Sequence, residues 1–175
     1  MKPTSGASSP DFAGGSHDHE HCIASALDKA ERMSAGRGQT LTALRRQVLR
    51  IVWSGHCPLG AYEILDKLAE ERGRVAPPTV YRALDFLLEL RLIHRIESLN
   101  AFIGCPRPEA RHAGQFFICE VCGRAAELAD AEVQVAIEQG AGRLGFEVAH
   151  STVEVRGRCP VCRDDTGSRD RGRRA

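Results

Sequence analysis

Cys119-x-x-Cys122 and Cys159-x-x-Cys162 place two pairs of thiols along one chain of 175 residues. Each pair presents two sulfurs from a tight turn, and two such turns can close a tetrahedron of soft ligands around Zn²⁺, as in a structural zinc site. A dithiol redox enzyme would need a lowered thiol pKa, usually at a helix N-terminus after a strand. Phe116-Phe117-Ile118 is strand-like, but Gly123-Arg124-Ala125-Ala126-Glu127 reads as a turn into another strand, which argues against that chemistry. A zinc deaminase needs H-x-E or C-x-E together with P-C-x-x-C. Here Pro160 lies inside the second pair and no Glu has the required place after a His or Cys.

The elements that must position these thiols belong to a globular chain, with 42% hydrophobic and 27% charged residues arguing against disorder throughout. Residues 1–16 lack the apolar centre of a signal peptide, and the leucine-rich stretch Ala83–Leu92 is broken by Asp85, Glu89 and Arg91, so neither export nor membrane insertion is expected. The expected location is the cytoplasm, where seven cysteines suit metal ligation better than disulfides. Charge is uneven along the chain. Residues 37–98 carry ten Lys and Arg against seven Asp and Glu, whereas residues 99–162 carry six against eight. The first half is therefore the better partner for a polyanion, although so small an excess does not by itself indicate nucleic-acid binding.

Residues 1–21 are rich in Gly, Ser, Pro and His without apolar periodicity, and read as a mobile tail. Ile23, Ala26, Leu27 and Ala30 fall at helical spacing within Cys22–Ser34, and Gly36 and Gly38 end that helix. Thr40 or Thr42 caps a second helix reaching about Trp53, with Leu44, Val48, Leu49 and Val52 on one face. After the loop Ser54–Gly60, Ala61–Arg72 predicts a third helix. A further one starts at Pro77 or Pro78, where a missing N–H costs nothing, and reaches about Arg91. Leu92–Glu97 and Ala101–Gly104 predict a hairpin.

This order is that of a winged helix-turn-helix over residues 22–104. Past Cys105 come strand candidates at Gln115–Cys119 and Ala125–Leu128, a helix at about Asp130–Arg143 and a strand at Glu147–Arg156. The whole is an α+β chain, with a small α/β domain at 105–163 and a basic tail at 164–175. A segment so small buries little, so a structural metal and self-association are expected aids.

On the helix after the two prolines, Val80, Leu84, Leu87 and Leu88 share one side while Tyr81, Arg82, Asp85 and Glu89 share the other. A recognition helix contacts bases with its N-terminal residues, so Tyr81 and Arg82 are placed to enter a major groove. Arg82 can donate twice to guanine O6 and N7, worth about 1–3 kcal/mol of discrimination. A solvated helix face would show the same pattern.

The stretch Pro77-Pro78-Thr79-Val80-Tyr81-Arg82-Ala83-Leu84-Asp85-Phe86-Leu87-Leu88-Glu89, followed by Cys119-x-x-Cys122-Gly123 and the later cysteine pair, closely resembles the ferric uptake regulator superfamily, in its zinc uptake branch. The resemblance covers about Leu41 to Cys162. It implies a homodimeric, zinc-responsive repressor of zinc uptake genes, without enzymatic activity or small-molecule substrate, that binds palindromic operator DNA through Tyr62, Thr79, Tyr81 and Arg82. A regulator responding to iron, manganese or peroxide is the alternative. Some relatives pair an Asp with an Arg between neighbouring dimers on DNA. Here Asp66 is present but Ala69 stands at the Arg position, so the resemblance does not extend to that pair.

With the paired cysteines assigned to a structural ion, His94, Cys105, His112 and Glu127 offer an N, S, N, O set. By themselves, His94 would be an ordinary strand residue and Glu127 a solvated carboxylate. The resemblance matches all four to the regulatory zinc ligands of that branch, with the spacing from Cys105 to His112 one residue shorter in a connection containing Pro106 and Pro108. Two zinc ions per subunit are thereby expected. A thiolate beside two imidazoles favours Zn²⁺ over Fe²⁺ or Mn²⁺. An ion preferring the closed domain arrangement would set the separation of two recognition helices in a dimer. The tract His17-Asp18-His19-Glu20-His21-Cys22 is a weaker metal candidate. His56 with Cys57, and His150, read as structural or incidental, although His150 resembles a contributor to an auxiliary site in iron-sensing relatives. Arg169, Arg171, Arg173 and Arg174 offer diffuse attraction for phosphate.

Overall fold

The computed structural model describes Phe12 and residues 19–110 and 112–164. The expectations for His17, for most of the N-terminal tail and for the arginines of the C-terminal tail lie outside these residues. The chain divides into two compact units, Ser16–His112 and Ala113–Ala175, the latter taken with Met1–Gly15.

The first unit begins with α1, His19–Gly36, which starts before the Cys22 expected from its apolar spacing and ends at the expected glycine. In α2, Ala43–Val52, Thr42 is the N-cap, its Oγ1 accepting from Arg45 N at 3.4 Å. Next comes a two-residue strand absent from the sequence expectation, β1, Leu59–Gly60. In α3, Ala61–Arg72, the Gly60 N–H donates to Glu63 Oε2 at 2.7 Å, which satisfies an otherwise orphaned group at the helix start. The prolines occupy the first turn of α4, Pro77–Glu89.

Apolar faces of α2, α3 and α4 meet in one core, with Leu49, Ile64, Leu68, Leu84 and Leu87 fully buried. The end of α4 is a Schellman closure: Arg91 N donates to Leu88 O and Leu92 N to Leu87 O, with Leu92 buried beneath. Arg91 takes the left-handed position (φ 56°), where glycine is usual, at a cost of roughly 1–2 kcal/mol. This turn delivers the chain into the wing. There β2, Ile93–Ile96, pairs antiparallel with β3, Ala101–Gly104, through a 3₁₀ turn at Glu97–Leu99, and β1 completes the order β1-β3-β2.

Gly104 closes β3 against the indole of Trp53. A Cβ built there would lie 2.3 Å from Trp53 Cε2 and 2.5 Å from its Nε1. Gly104→Ala must therefore displace either the ring or the strand end that leads to Cys105. The expected result is a loss of about 1–3 kcal/mol, read as a fall of several degrees in the thermal midpoint of the first unit.

In the second unit, β4, Gly114–Cys119, is central in the order β5-β4-β6. It pairs antiparallel with β5, Ala125–Leu128, and parallel with β6, Thr152–Gly157. The parallel pairing needs a crossover, which contains α5, Ala131–Arg143. Asp130 caps that helix by accepting from Glu132 N at 2.8 Å. Gln115, buried on β4, fixes the cap by donating to Asp130 O at 2.8 Å and accepting from Asp130 N at 3.2 Å. β6 is shorter than the expected Glu147–Arg156: residues 147–151 stand outside the sheet, and the strand runs on to Gly157. Among the described residues, no helix is long and apolar enough to cross a membrane.

Candidate metal centres and nucleic-acid interface

The four paired cysteines come together inside the second unit, their sulfurs all within 4.8 Å of one another. The first turn closes where Cys119 N donates to Arg124 O (2.8 Å) and Gly123 N to Cys119 O (2.9 Å), with Gly123 at φ 71° as the turn requires. The second lies just past β6, and Arg163 N returns to Cys159 O at 2.9 Å. Cys122 Sγ and Cys159 Sγ stand 3.8 Å apart. Two sulfurs at about 2.3 Å from a tetrahedral Zn²⁺ are separated by roughly 3.8 Å, so the edge has the length that a zinc ion demands. It is far too long for a disulfide, and all seven cysteines are free thiols.

Backbone donors tune these sulfurs. Cys159 N–H points at Cys119 Sγ from 3.3 Å and, with the Cys122 N–H, brings the Cys119 thiol down to about 6, so it is a thiolate at neutral pH. Cys162 is pushed up to about 12, chiefly by its hydrogen bond with Cys159 and then by burial. A dication held by the four sulfurs would favour their thiolate forms.

A second cluster lies within the first unit. His94 is on β2 opposite Ile103, and buried Cys105 follows β3 with its N–H donating to Leu92 O at 3.0 Å. His112 follows the connection 106–111. Its Nε2 is 3.3 Å from His94 Nε2 and 3.5 Å from Cys105 Sγ, with the two imidazole rings edge to face. Zinc at about 2.0–2.1 Å from nitrogen and 2.3 Å from sulfur gives tetrahedral edges of roughly 3.3 and 3.5 Å. The donors thus fit the ion in both type and spacing. His112 Nδ1 lies 2.9 Å from Ala110 O; when that nitrogen carries the proton it donates to the carbonyl and leaves Nε2 free for a metal. Glu127, the fourth expected ligand, is half-buried on β5 of the second unit, in register with Phe116.

Of the expected nucleic-acid contacts, Tyr62 and Tyr81 lie side by side in the first unit. Tyr62 on α3 and Tyr81 on α4 are exposed aromatics, 69% and 44% accessible, and together with Ala61, Leu65, Pro77 and Val80 they frame a shallow apolar notch. Arg82 is exposed and makes no ion pair or side-chain hydrogen bond among the described residues. Thr79, a turn earlier, is half-buried. His21 lies in the first turn of α1, while Cys57 is exposed in the loop before β1. Neither belongs to a cluster of three or more possible metal ligands among the described residues.

Residues 36–156 match the pattern of the Ferric uptake regulator family. The Zinc uptake regulation protein of Escherichia coli (strain K12) is 37% identical over 137 residues, which is 78% of this chain and 80% of that protein. Among solved structures, a zinc uptake regulator complexed with zinc and DNA superposes with a TM-score of 0.79 at 35% identity, covering 83% of this chain and 97% of the other. The crystal structure of holo XcZur gives 0.72 at 42% identity, over 80% and 98%. A winged first unit whose α4 exposes Tyr81 and Arg82, a second unit with four clustered cysteines and these likenesses have one common explanation: the chain belongs to the ferric uptake regulator family.

Proposed function

We propose that this protein is a cytoplasmic, zinc-responsive transcriptional repressor that binds palindromic operator DNA as a homodimer and controls zinc uptake genes, with no catalytic role. The observation that carries this reading is the trio His94, Cys105 and His112, whose donor spacings match tetrahedral zinc edges inside the unit that bears the recognition helix. The similar structures include that of a zinc uptake regulator complexed with zinc and DNA.

In this reading Cys119, Cys122, Cys159 and Cys162 hold a structural ion, and His94, Cys105 and His112 with Glu127 hold a regulatory one. When bound there, zinc supplies the charge that keeps a thiolate, two imidazoles and a carboxylate together. The protein's residues do the rest. Cys105 and His94 report from the wing, His112 from the connection and Glu127 from β5, and an ion that binds one arrangement of these ligands better shifts the protein toward it. In a dimer that sets the spacing of two α4 helices against successive major grooves. Val135, Leu144, Phe146 and Val155 expose apolar surface on the second unit, the surface that self-association would cover.

Arg82 is assigned to base contact, with Tyr62, Thr79 and Tyr81 beside it. Arg82→Ala is expected to weaken binding to a duplex enriched from a random pool by the zinc-loaded protein, by about 1–3 kcal/mol, with zinc content unchanged. Fluorescence anisotropy against that duplex and a scrambled one reads the effect. Equal affinity of variant and wild type for the enriched duplex would remove Arg82 from the interface.

A further inference from the structure

The connection after Cys105 leads to His112, and its described residues, 106–110, pair with no strand. Its order comes from elsewhere. Lys29, half-buried on α1, donates from Nζ to Pro106 O at 2.8 Å, across 77 positions of sequence. One turn later, Arg32 Nη2 stands 4.0 Å from Glu109 Oε1. Ala110 N closes a turn onto Arg107 O at 3.2 Å, and Ala110 O in turn receives His112 Nδ1. The helix making these contacts is itself anchored, since Glu31 pairs with Arg46 of α2 and Arg37 Nη1 donates to Glu89 O at the end of α4.

Of these contacts the Lys29 bond is the decisive one. The pair Arg32–Glu109 is long and both side chains are more than half exposed, so solvent screens it. The Lys29 bond is also at an exposed position, but it is short at 2.8 Å and ends on a carbonyl one residue beyond Cys105. Cys105 is thereby held from both sides, by its own N–H on Leu92 O and by α1 through Pro106. Without the second hold, the chain leaving Cys105 would have to be ordered by the metal itself, and that entropy would be subtracted from zinc affinity.

We propose that Lys29 is a positioning residue for the His94–Cys105–His112 site: it fixes the connection so that Cys105 and His112 stand at ligand separation before the ion arrives. The inference rests on the assignment of those three residues as regulatory ligands. Loss of a partner that orients a ligand typically costs about 10- to 100-fold in metal affinity, and a contact acting one residue away belongs at the lower end.

The test uses the full chain carrying only its Cys₄ zinc and measures the affinity of the second zinc equivalent by competition with a chromophoric chelator. Lys29→Met keeps the aliphatic stem and removes the donor, and its second-site Kd is expected to rise about tenfold. Lys29→Arg restores a cationic donor and is expected to recover most of that loss. The thermal midpoint of the one-zinc protein should be the same in all three, which separates positioning from support of the fold. Lys29→Met binding as tightly as wild type, or Lys29→Arg failing as badly as Lys29→Met, overturns the role of Lys29. Cys105→Ser serves as the control on the underlying assignment. If it too left the second equivalent unchanged, the ligand assignment would fall and the Lys29 proposal with it.

Discussion

Cys159→Ser is expected to release one zinc ion per chain and to unfold the second unit while leaving the winged unit standing. Cys159 is buried, its N–H serves the Cys119 sulfur, and its own sulfur forms an edge with Cys122. The sheet β5-β4-β6 has little else to hold it: Phe116 and Ile118 are its only large buried apolar side chains among the described residues, with small Ala125, Ala126 and Ala141. A structural zinc contributes about 10–16 kcal/mol of apparent folding free energy in small zinc domains, which equals or exceeds the whole stability of a typical domain at 5–15 kcal/mol. A Ser hydroxyl in place of one thiolate forfeits much of it. Metal content together with amide hydrogen exchange checks this: protection should vanish from β4, β5 and β6 and persist in α2, α3 and α4. A strong chelator applied to wild type should give the same pattern. Full zinc content with retained sheet protection would mean that the cysteines do not hold the frame.

Cys105→Ser is expected to leave both units folded and to abolish the dependence of DNA binding on zinc. The substitution keeps the backbone bond from residue 105 to Leu92 O and changes only the donor atom. A ligand that is itself removed should cost more than the roughly 10- to 100-fold that loss of a supporting partner costs. The switch is sensitive to such losses. To carry a population from about 1:99 to 99:1 the ion must prefer one arrangement by about 10⁴-fold, so a hundredfold deficit already leaves about half of the molecules unswitched at saturating zinc, and the larger loss expected for a removed ligand leaves most of them so. Gel-shift titrations across free zinc would show the variant flat at the affinity of the one-zinc protein.

Much of the first unit was legible because its signals are local. The Thr42 cap, the two prolines opening α4 and the apolar spacing of Ala61–Arg72 each state a helix boundary within one turn of chain. The strand β1 was not legible. Two residues carry no periodicity, and Leu59–Gly60 becomes a strand only through Phe102 and Ala101, more than forty positions away. Arg91 likewise hides the end of α4, since the sequence offers no glycine there and the closure depends on Leu92 finding the core. At the metal centres the donor types were visible, and the cysteine spacing announced its own cluster. His94, Cys105 and His112 lack such a motif, and only the pairing of β2 with β3 and the folded connection bring them to 3.3 and 3.5 Å. Lys29 gave no signal at all, because one lysine on a charged helix is like any other until its carbonyl partner is known. Gln115 escaped for the same reason: its partner is the backbone of residue 130.

The central claim is that the winged unit carries a zinc switch separate from the thiolate-bound ion. It is tested most directly by titrating zinc into wild-type protein that already holds one ion per chain, while following anisotropy of the enriched duplex and metal content together. Specific binding should rise only as the second equivalent is taken up, and Cys105→Ser, with the same first ion, should show no rise. Full specific binding by the one-zinc protein, or an undiminished zinc response in Cys105→Ser, would contradict the claim.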